Sequence, residues 1–285
     1  MGPRASIVYL TKNGGEIFRK SLEAVYAQQV DFDYEVIAVD SGSTDGTLDI
    51  LKSYPVRLYQ IPPDEFNFGL TRDYGFSLAQ GEILVVLSQD AVPVGTSWLH
   101  DITSPLDDDS IAVVQGMDIL PGDGDNLFYW DKVGLFYHTR DCKKWMAAYD
   151  NIGVSFTSCA IRRTVWEGNP MGRIEMSEDK VFQKRMRGKG YKIFFQREAK
   201  DYHSHIYTAT SLAKRCENEG LGWRNVDIEY SFMDMLKDIF KSEILFHLIR
   251  GLYTLEISRF SELLFPLIRP IFVYKGNKFS EKYVC

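Results

Sequence analysis

An α/β architecture, a mainly parallel sheet flanked by helices with a helical appendage at the C-terminus, is predicted by three observations. Short apolar runs alternate with helical patterns through the first half of the chain, the βαβα signature of a parallel sheet covered on both faces. A length of 285 residues with 45% hydrophobic content is enough to bury such a sheet. Beyond Tyr230 the strand-like runs stop and an aromatic, basic, helical pattern takes over, so the expected division is 1–229 for the α/β domain and 230–285 for the helical region.

Taken in order, Ser6–Thr11 reads as a strand from its β-branched and aromatic content, Glu16–Gln28 as a helix, and Tyr34–Asp40 as a second strand. A helix begins at Thr47, a short strand lies near Val56–Gln60, a helix spans Thr71–Ala79, and Ile83–Leu87 is a wholly apolar strand. A strand near Ile111–Met117 is followed by a Gly/Asp-rich loop, Pro121–Asn126, and an aromatic helical stretch, Leu127–His138. Gly153–Ile161 is strand-like, a helix starts near Ser177, and Tyr191–Phe195 and Thr208–Glu219 read as strand and helix. Open sheets of this kind bind ligands beyond the carboxyl ends of their strands, so the residues just after each strand are the candidates for chemistry.

A formal charge of −6 argues against a nucleic-acid protein with a basic surface; Arg162-Arg163 and Lys184-Arg185-Arg187 read as solvated helix faces. Cys142, Cys159, Cys216 and Cys285 are scattered without a CxxC pair, which suggests neither a zinc knuckle nor a disulfide framework. With no apolar stretch of a signal peptide near Met1-Gly2-Pro3-Arg4, a cytoplasmic location is expected. No run approaches the roughly 18 apolar residues of a spanning helix. Phe240, Leu245, Phe246, Leu264, Phe265, Ile271 and Phe272 are instead interleaved with Lys241, Arg250, Arg259, Arg269 and Lys275. Such helices lie in a membrane interface, pack on their own domain or form a homodimer, and all three readings stay open.

The run Asp40-Ser41-Gly42-Ser43-Thr44-Asp45-Gly46-Thr47 follows the second strand and is dense in groups that hydrogen-bond a polar ligand. A carboxylate at that edge accepts from the imide of a pyrimidine base or from ribose hydroxyls; a turn and helix N-cap is the plainer reading. Thr11-Lys12-Asn13-Gly14-Gly15 stands where a dinucleotide-binding GxGxxG would be, and no phosphate-binding P-loop occurs. Ile83–Leu87 runs into Ser88-Gln89-Asp90, which puts one acid at the sheet's carboxyl edge to hold a hard cation or to cap the following turn. Glu178-Asp179 opens a helix, where acids favour the macrodipole and where one of them can serve as general base. His203-Ser204-His205 turns both imidazoles one way if extended, a structural pair unless an acid such as Asp90 meets it.

In order and spacing these pieces resemble the family 2 glycosyltransferases of the GT-A fold, and within them the bacterial rhamnosyltransferase-like branch. The resemblance covers roughly residues 5 to 222 and rests on Ser6–Asn13, Val39–Thr47, Phe66-Asn67-Phe68-Gly69-Leu70-Thr71-Arg72-Asp73, Ser88–Pro93, Ser177–Asp179 and His203–Tyr207. It implies an enzyme that moves a sugar from a nucleoside diphosphate to a hydroxyl, with Asp40 on the donor base and Asp90 and His205 on Mg2+ or Mn2+. Asp179, with Glu178 beside it, resembles the catalytic base, and Thr11, Asn13, Ser41, Ser43, Arg72 and Gln89 fall at donor-binding positions. Two departures stand out. The usual Asp-x-Asp is Ser88-Gln89-Asp90, which predicts weak metal affinity or some turnover without metal, and the family's F-N-H-G is Phe66-Asn67-Phe68-Gly69.

The implied donor is dTDP-L-rhamnose, with a UDP- or GDP-sugar as the alternative. The implied acceptor is a glycan or lipid-linked glycan in surface polysaccharide synthesis, at the inner face of the cytoplasmic membrane. Trp130, Tyr137 and Trp145 offer a stacking platform for an acceptor sugar, against the plainer reading that aromatics at helical spacing are core. Two rivals remain. A sugar-nucleotide pyrophosphorylase wants a basic Gly-rich loop that Lys12-Asn13-Gly14-Gly15 barely supplies, and a non-catalytic nucleotide-sugar binder is suggested by the missing first acid.

Overall fold

A computed structural model describes residues 2–122 and 127–281; residues 123–126 of the expected Gly/Asp-rich loop, and Cys285, lie outside them. One sheet is built from β1 (Ala5–Thr11), β2 (Tyr34–Asp40), β3 (Arg57–Gln60), β4 (Ile83–Leu87), β5 (Val92–Pro93), β6 (Ile111–Ile119), β7 (Ser158–Arg162) and β8 (Lys192–Tyr202). The helices are α1 (Gly15–Tyr26), α2 (Thr47–Lys52), α3 (Phe68–Leu78), α4 (Trp98–Thr103), α5 (Tyr129–Lys132) and α6 (Arg140–Ala148), followed by α7 (Arg163–Glu167), α8 (Glu178–Gly188), α9 (Ala209–Asn225), α10 (Phe232–Ile239), α11 (Ser242–Tyr253) and α12 (Phe260–Phe279).

Spatial strand order is β3-β2-β1-β4-β7-β6-β8-β5. From β3 to β4 every pairing is parallel, as the alternating first half predicts. Beyond β4 the sheet becomes mixed: β7 runs antiparallel to both β4 and β6, while β8 runs parallel to β6 and antiparallel to β5. The apolar run Ile83–Leu87 is buried at all its positions, as a central strand covered on both faces requires. On one face Phe18, Leu22 and Val25 of α1 join Ile7, Tyr9, Val85 and Trp98 in the main core cluster.

Two compact units divide the chain: residues 1–119, 154–174 and 178–203 form the first, and 120–153, 175–177 and 204–285 the second. The sheet belongs wholly to the first. The observed division differs from a cut near Tyr230, because α9 belongs with the C-terminal helices. Its Gly220 and Gly276 of α12 let the two backbones approach; a Cβ on Gly276 would stand 1.8 Å from the Glu217 carbonyl oxygen.

Within the second unit, the expected helix over Leu127–His138 shrinks to the single turn of α5, ended near Gly134 at φ 67°, and a separate helix, α6, begins at Arg140. α12 carries Pro266 and Pro270 in its interior. Proline has no N–H to give the carbonyl four residues back, so the Glu262 carbonyl is released at Pro266. The Trp130 indole N–H donates to it at 2.7 Å. Glu262 is itself buried and its carboxylate accepts from the backbone N–H groups of Tyr129, Ser258 and Arg259, each at 2.9 Å. Arg269 is fully buried, with its guanidinium on Glu219 at 2.7 and 3.2 Å and 4.9 Å from the centre of the Phe136 ring. Cys142, Cys159 and Cys216 are buried free thiols.

Candidate functional site

The carboxyl ends of β1, β2 and β4 come together, because β1 pairs Thr11 with Asp40 across to β2 and lies beside β4 on its other side. Asp40 is fully buried. One of its carboxylate oxygens accepts from the N–H groups of Gly42 and Ser43, both at 3.0 Å, and the other from the hydroxyls of Thr11, at 3.2 Å, and Ser43. A carboxylate offers about four lone-pair positions, and here the loop's own donors fill them. Asp40 therefore shapes the loop in this conformation, where the sequence suggested a free acceptor for a base.

Around it the loops are clasped together. Asn13, held at φ 51°, donates its N–H to Ser43 Oγ at 2.8 Å and accepts the Thr44 N–H on its side-chain oxygen at 2.8 Å. Gln89 bonds Lys12 twice, accepting its N–H at 3.0 Å and donating to its carbonyl at 3.1 Å. Gly14 permits this: a Cβ there would lie 2.9 Å from Gln89 Oε1. Ser41 donates its N–H to the Thr11 carbonyl at 3.0 Å. Thr11, Asn13, Asp40, Ser41, Ser43 and Gln89, scattered over some 80 positions of the chain, are thus one hydrogen-bonded rim.

Asp90 stands at the end of β4, half-buried, its carboxylate bonded by the Ser88 hydroxyl. The His203 imidazole lies beside it, with Nε2 at 3.5 Å from Asp90 Oδ1; Nδ1 of the same ring lies 3.8 Å from Asp118 Oδ2. Asp118 on β6 is paired in register with Asp201 on β8, so two acids sit side by side across strands. Asp201 is fully exposed to neither water nor a donor: it is buried, and both carboxylate oxygens lack a hydrogen-bond partner. Burial, then the Asp118 charge, push its carboxyl up to about 8, and burial likewise raises Asp118. Burial opposes the charged form of His203, yet its contact with Asp90 and the charges of Asp118 and Asp201 outweigh it and raise the imidazole. Asp90 and His203, an oxygen and an imidazole donor within 4.8 Å of each other, suit a divalent cation. His205, two residues past His203, is half-buried and belongs to the second unit.

Arg72 and Glu178 form a buried ion pair at 3.0 Å, with the guanidinium 5.0 Å from the centre of the Phe156 ring. Neither presents itself to solvent: Glu178 is committed to Arg72, and Arg72 to Glu178, where the sequence had suggested a guanidinium facing phosphate. Burial and the neighbouring Asp179 raise the Glu178 carboxyl, with Arg72 opposing them. Asp179, the next residue, is half-buried, accepts the Lys180 N–H at 2.7 Å and lies 3.5 Å from the Lys180 ammonium. The stretch holding Arg72 is built by its own neighbours. Asn67 caps α3 by accepting from Leu70 N–H and also takes the Ile174 N–H, both at 3.1 Å, and Asp73 accepts from the Trp166 indole and from the N–H groups of Met171 and Gly172.

Of the aromatics suggested as an acceptor platform, Trp130 and Trp145 are core residues, 0% and 2% exposed. Trp130 stacks on Phe265 and Trp145 packs on Tyr149 and Trp223, so their ring faces are already covered. Helical spacing places aromatics on a buried stripe, and the platform fails there for that reason. Tyr137 alone of the three is open, at 55%, with its hydroxyl accepting from Arg215 at 3.3 Å. Sequence reasoning missed Asp118 and Asp201 and passed over His203 for its neighbour; an acid near the end of each of two paired strands was the available signal.

The model of glycosyl transferase family 2 matches residues 6–168. The chain is similar to the O-antigen chain rhamnosyltransferase WbaN of Salmonella anatum, 30% identical over 228 residues, covering 77% of this chain and 72% of that protein. It is similar also to the O-antigen chain rhamnosyltransferase RfbN of Salmonella typhimurium, 26% identical over 228 residues, 76% of this chain and 72% of that one. Among solved structures, the mannosyltransferase PcManGT of Pyrobaculum calidifontis, in complex with GDP-Man and Mn2+, superposes with a TM-score of 0.65 at 13% identity, over 99% of this chain and 89% of that one. Glucosyl-3-phosphoglycerate synthase of Mycobacterium tuberculosis, with Mn2+, UDP-Glc and phosphoglyceric acid, gives a TM-score of 0.61 at 16% identity, over 81% of this chain and 82% of that one. The chain accordingly belongs to glycosyl transferase family 2 and is a glycosyltransferase of the GT-A fold.

Proposed function

We propose that the protein transfers L-rhamnose from dTDP-L-rhamnose, with inversion at the anomeric carbon, to a hydroxyl of a glycan or lipid-linked glycan in surface polysaccharide synthesis. The observation that carries the donor is the similarity to two O-antigen rhamnosyltransferases over 228 residues each. In this reading the nucleoside rests on the rim of Thr11, Asn13, Ser41, Ser43 and Gln89 that Asp40 organises. Asp90 and His203 hold Mg2+ or Mn2+. When bound, the cation neutralises charge on the donor's two phosphates. Asp179 accepts the proton of the attacking hydroxyl, and general bases of this kind contribute about 10²–10⁴-fold. Arg72 and Glu178 act one step back, fixing the first turn of α8 from which Asp179 projects.

Calorimetric titration with dTDP-L-rhamnose, UDP-glucose, UDP-galactose and GDP-mannose, each with and without Mg2+, tests the donor. Selective binding of the dTDP sugar, strengthened by metal in the native protein and not in Asp90→Ala, is expected. Preference for a UDP or GDP sugar replaces the donor, and no binding to any sinks the reading.

The lipid-linked acceptor is supported by the second unit's surface. Leu245, Phe246, Ile249, Leu252 and Tyr253, one face of α11, are all exposed, and Phe246, Ile249 and Tyr253 are at 60%, 68% and 88%. Among the described residues no helix is long and apolar enough to cross a membrane. A surface-lying helix with Arg250 and Lys241 near it suits peripheral contact with anionic lipid. Sedimentation of the native chain with anionic liposomes, lost in Phe246→Ser/Ile249→Ser, is expected. Equal sedimentation of both proteins, or a concentration-dependent dimer that buries the same face, removes the membrane contact.

A further inference from the structure

The metal motif of this chain has one acid where its family commonly has two, and the fold brings another from a different strand. Two acids, Asp90 at the end of β4 and Asp118 on β6, flank one imidazole, His203, and Asp201 of β8 is paired in register with Asp118. The His203 backbone is pinned beside Asp118, because its N–H donates to the Ile119 carbonyl at 3.1 Å and β8 pairs Asp201 with Asp118 and Tyr202 with Ile119. The ring therefore lies between two carboxylates, Nε2 toward Asp90 at 3.5 Å and Nδ1 toward Asp118 at 3.8 Å. Asp118 and Asp201 are partners in register on the parallel strands β6 and β8, and Asp201 is buried with neither oxygen hydrogen-bonded. A cation held nearby relieves that arrangement, whereas a purely structural role leaves it unexplained.

We propose that Asp118 is a positioning residue of the metal site: it takes the Nδ1–H of His203, so that the unprotonated Nε2 is presented beside Asp90 as a ligand, and it restores the negative charge lost at Ser88. The inference rests on the metal reading given above and adds one residue to it, Asp118. A metal-binding imidazole usually gives its other N–H to a carboxylate or carbonyl, which selects the tautomer, orients the ring and raises its basicity. The 3.8 Å separation is outside hydrogen-bond range, so the role requires the ring to turn toward Asp118 when a cation is bound. Loss of such an outer partner typically weakens metal binding about 10–100-fold.

The test is Mn2+ binding by the full chain without donor, read from the electron paramagnetic resonance signal of free Mn2+, with a thermal melt of every variant as the folding control. Asp118→Asn is expected to bind Mn2+ about 10–100-fold more weakly than the native chain, as second-shell losses do. His203→Ala should weaken it at least as much, and Asp118→Asn should cost nothing further in the His203→Ala background, since the two act as one unit. Asp118→Glu, which keeps the carboxylate, should recover most of the affinity and serves as the informative variant if Asp118→Asn folds poorly. Native affinity in Asp118→Asn while Asp90→Ala loses Mn2+ overturns the positioning role alone. Independent, additive losses at Asp118 and His203 overturn it too, and native affinity in Asp90→Ala as well removes the metal reading with it.

Discussion

Two arginines are buried against glutamates, one in each unit, and they differ in what their surroundings ask of them. Arg269 meets Glu219 through two nitrogens, at 2.7 and 3.2 Å, and is further bonded to Thr139 at 3.2 Å between the rings of Phe136 and Tyr137. Arg72 meets Glu178 through a single 3.0 Å contact and rests on Phe156. Both leave Nε buried without a partner. The Arg269 pair ties α9 to α12 among core residues, and of the groups named here only the Tyr137 ring is exposed. The Arg72 pair ends at the residue before Asp179, at the head of a helix. The same pair of side chains serves as a bolt in one place and as a mount in the other.

Removing one partner of a buried pair is the largest expected effect. Glu219→Ala leaves the Arg269 charge uncompensated and should lower stability by about 3–5 kcal/mol, read by urea denaturation. A loss under about 1 kcal/mol, the level of an exposed pair, would show that the bolt carries little. Replacing each arginine by lysine sharpens the comparison, because lysine keeps the charge and loses the planar fork and the stacking. Arg72→Lys should lower transfer up to about 100-fold by displacing Asp179, with donor affinity kept. Arg269→Lys should lower stability with transfer per folded molecule unchanged. If both variants lose activity and stability in the same proportion, the distinction collapses.

A smaller effect is expected with pH. Burial first, then the Arg269 charge, lower His138 to about 3, its Nδ1 bonded to the Leu135 carbonyl at 2.9 Å. Its folded value lies below its unfolded value of about 6.5, so the unfolded chain binds the extra proton. Stability from this group is complete above that pH and is lost progressively as pH falls toward 3. Asp141 works the other way: burial pushes it up to about 6, so its neutral form recovers stability as pH falls through that region. His138→Asn should flatten the decline just below pH 6.5 in denaturation series; an unchanged slope would assign it to other groups. The smallest effect belongs to the surface of the same unit. Phe246→Ser at its exposed position should change stability by no more than about 0.5 kcal/mol, and a larger loss would mean the residue is covered.

Much of the first unit was legible in the sequence, and the reason is local. The strands from Ser6 to Leu87 are continuous apolar runs separated by helices, and parallel pairing leaves their carboxyl ends together. Thr11, Asn13, Asp40 and Gln89 could therefore be named, although the hydrogen bonds that turn Asp40 inward depend on a loop conformation that residue type does not specify. Beyond β4 the signal weakens, because β7 enters antiparallel and β8 runs on from the expected Tyr191–Phe195 to Tyr202 through Gln196, Arg197, Glu198 and Lys200, which read as loop. That extension is what pairs Asp201 with Asp118 and delivers His203 to Asp90. In the second unit, Trp130 and Trp145 carry a ring and an N–H that suit a ligand or a core equally. The proline-released carbonyl of Glu262 decides for Trp130, and it lies 132 positions away.

Asp179→Asn tests the catalytic assignment most directly. Transfer measured with saturating donor and acceptor should fall at least about tenfold, the low side of what a general base contributes, while calorimetric donor affinity stays at the native value. Near-native turnover by that variant would contradict the account, because no other carboxylate at the head of α8 is free of an ion pair with Arg72 to take its place.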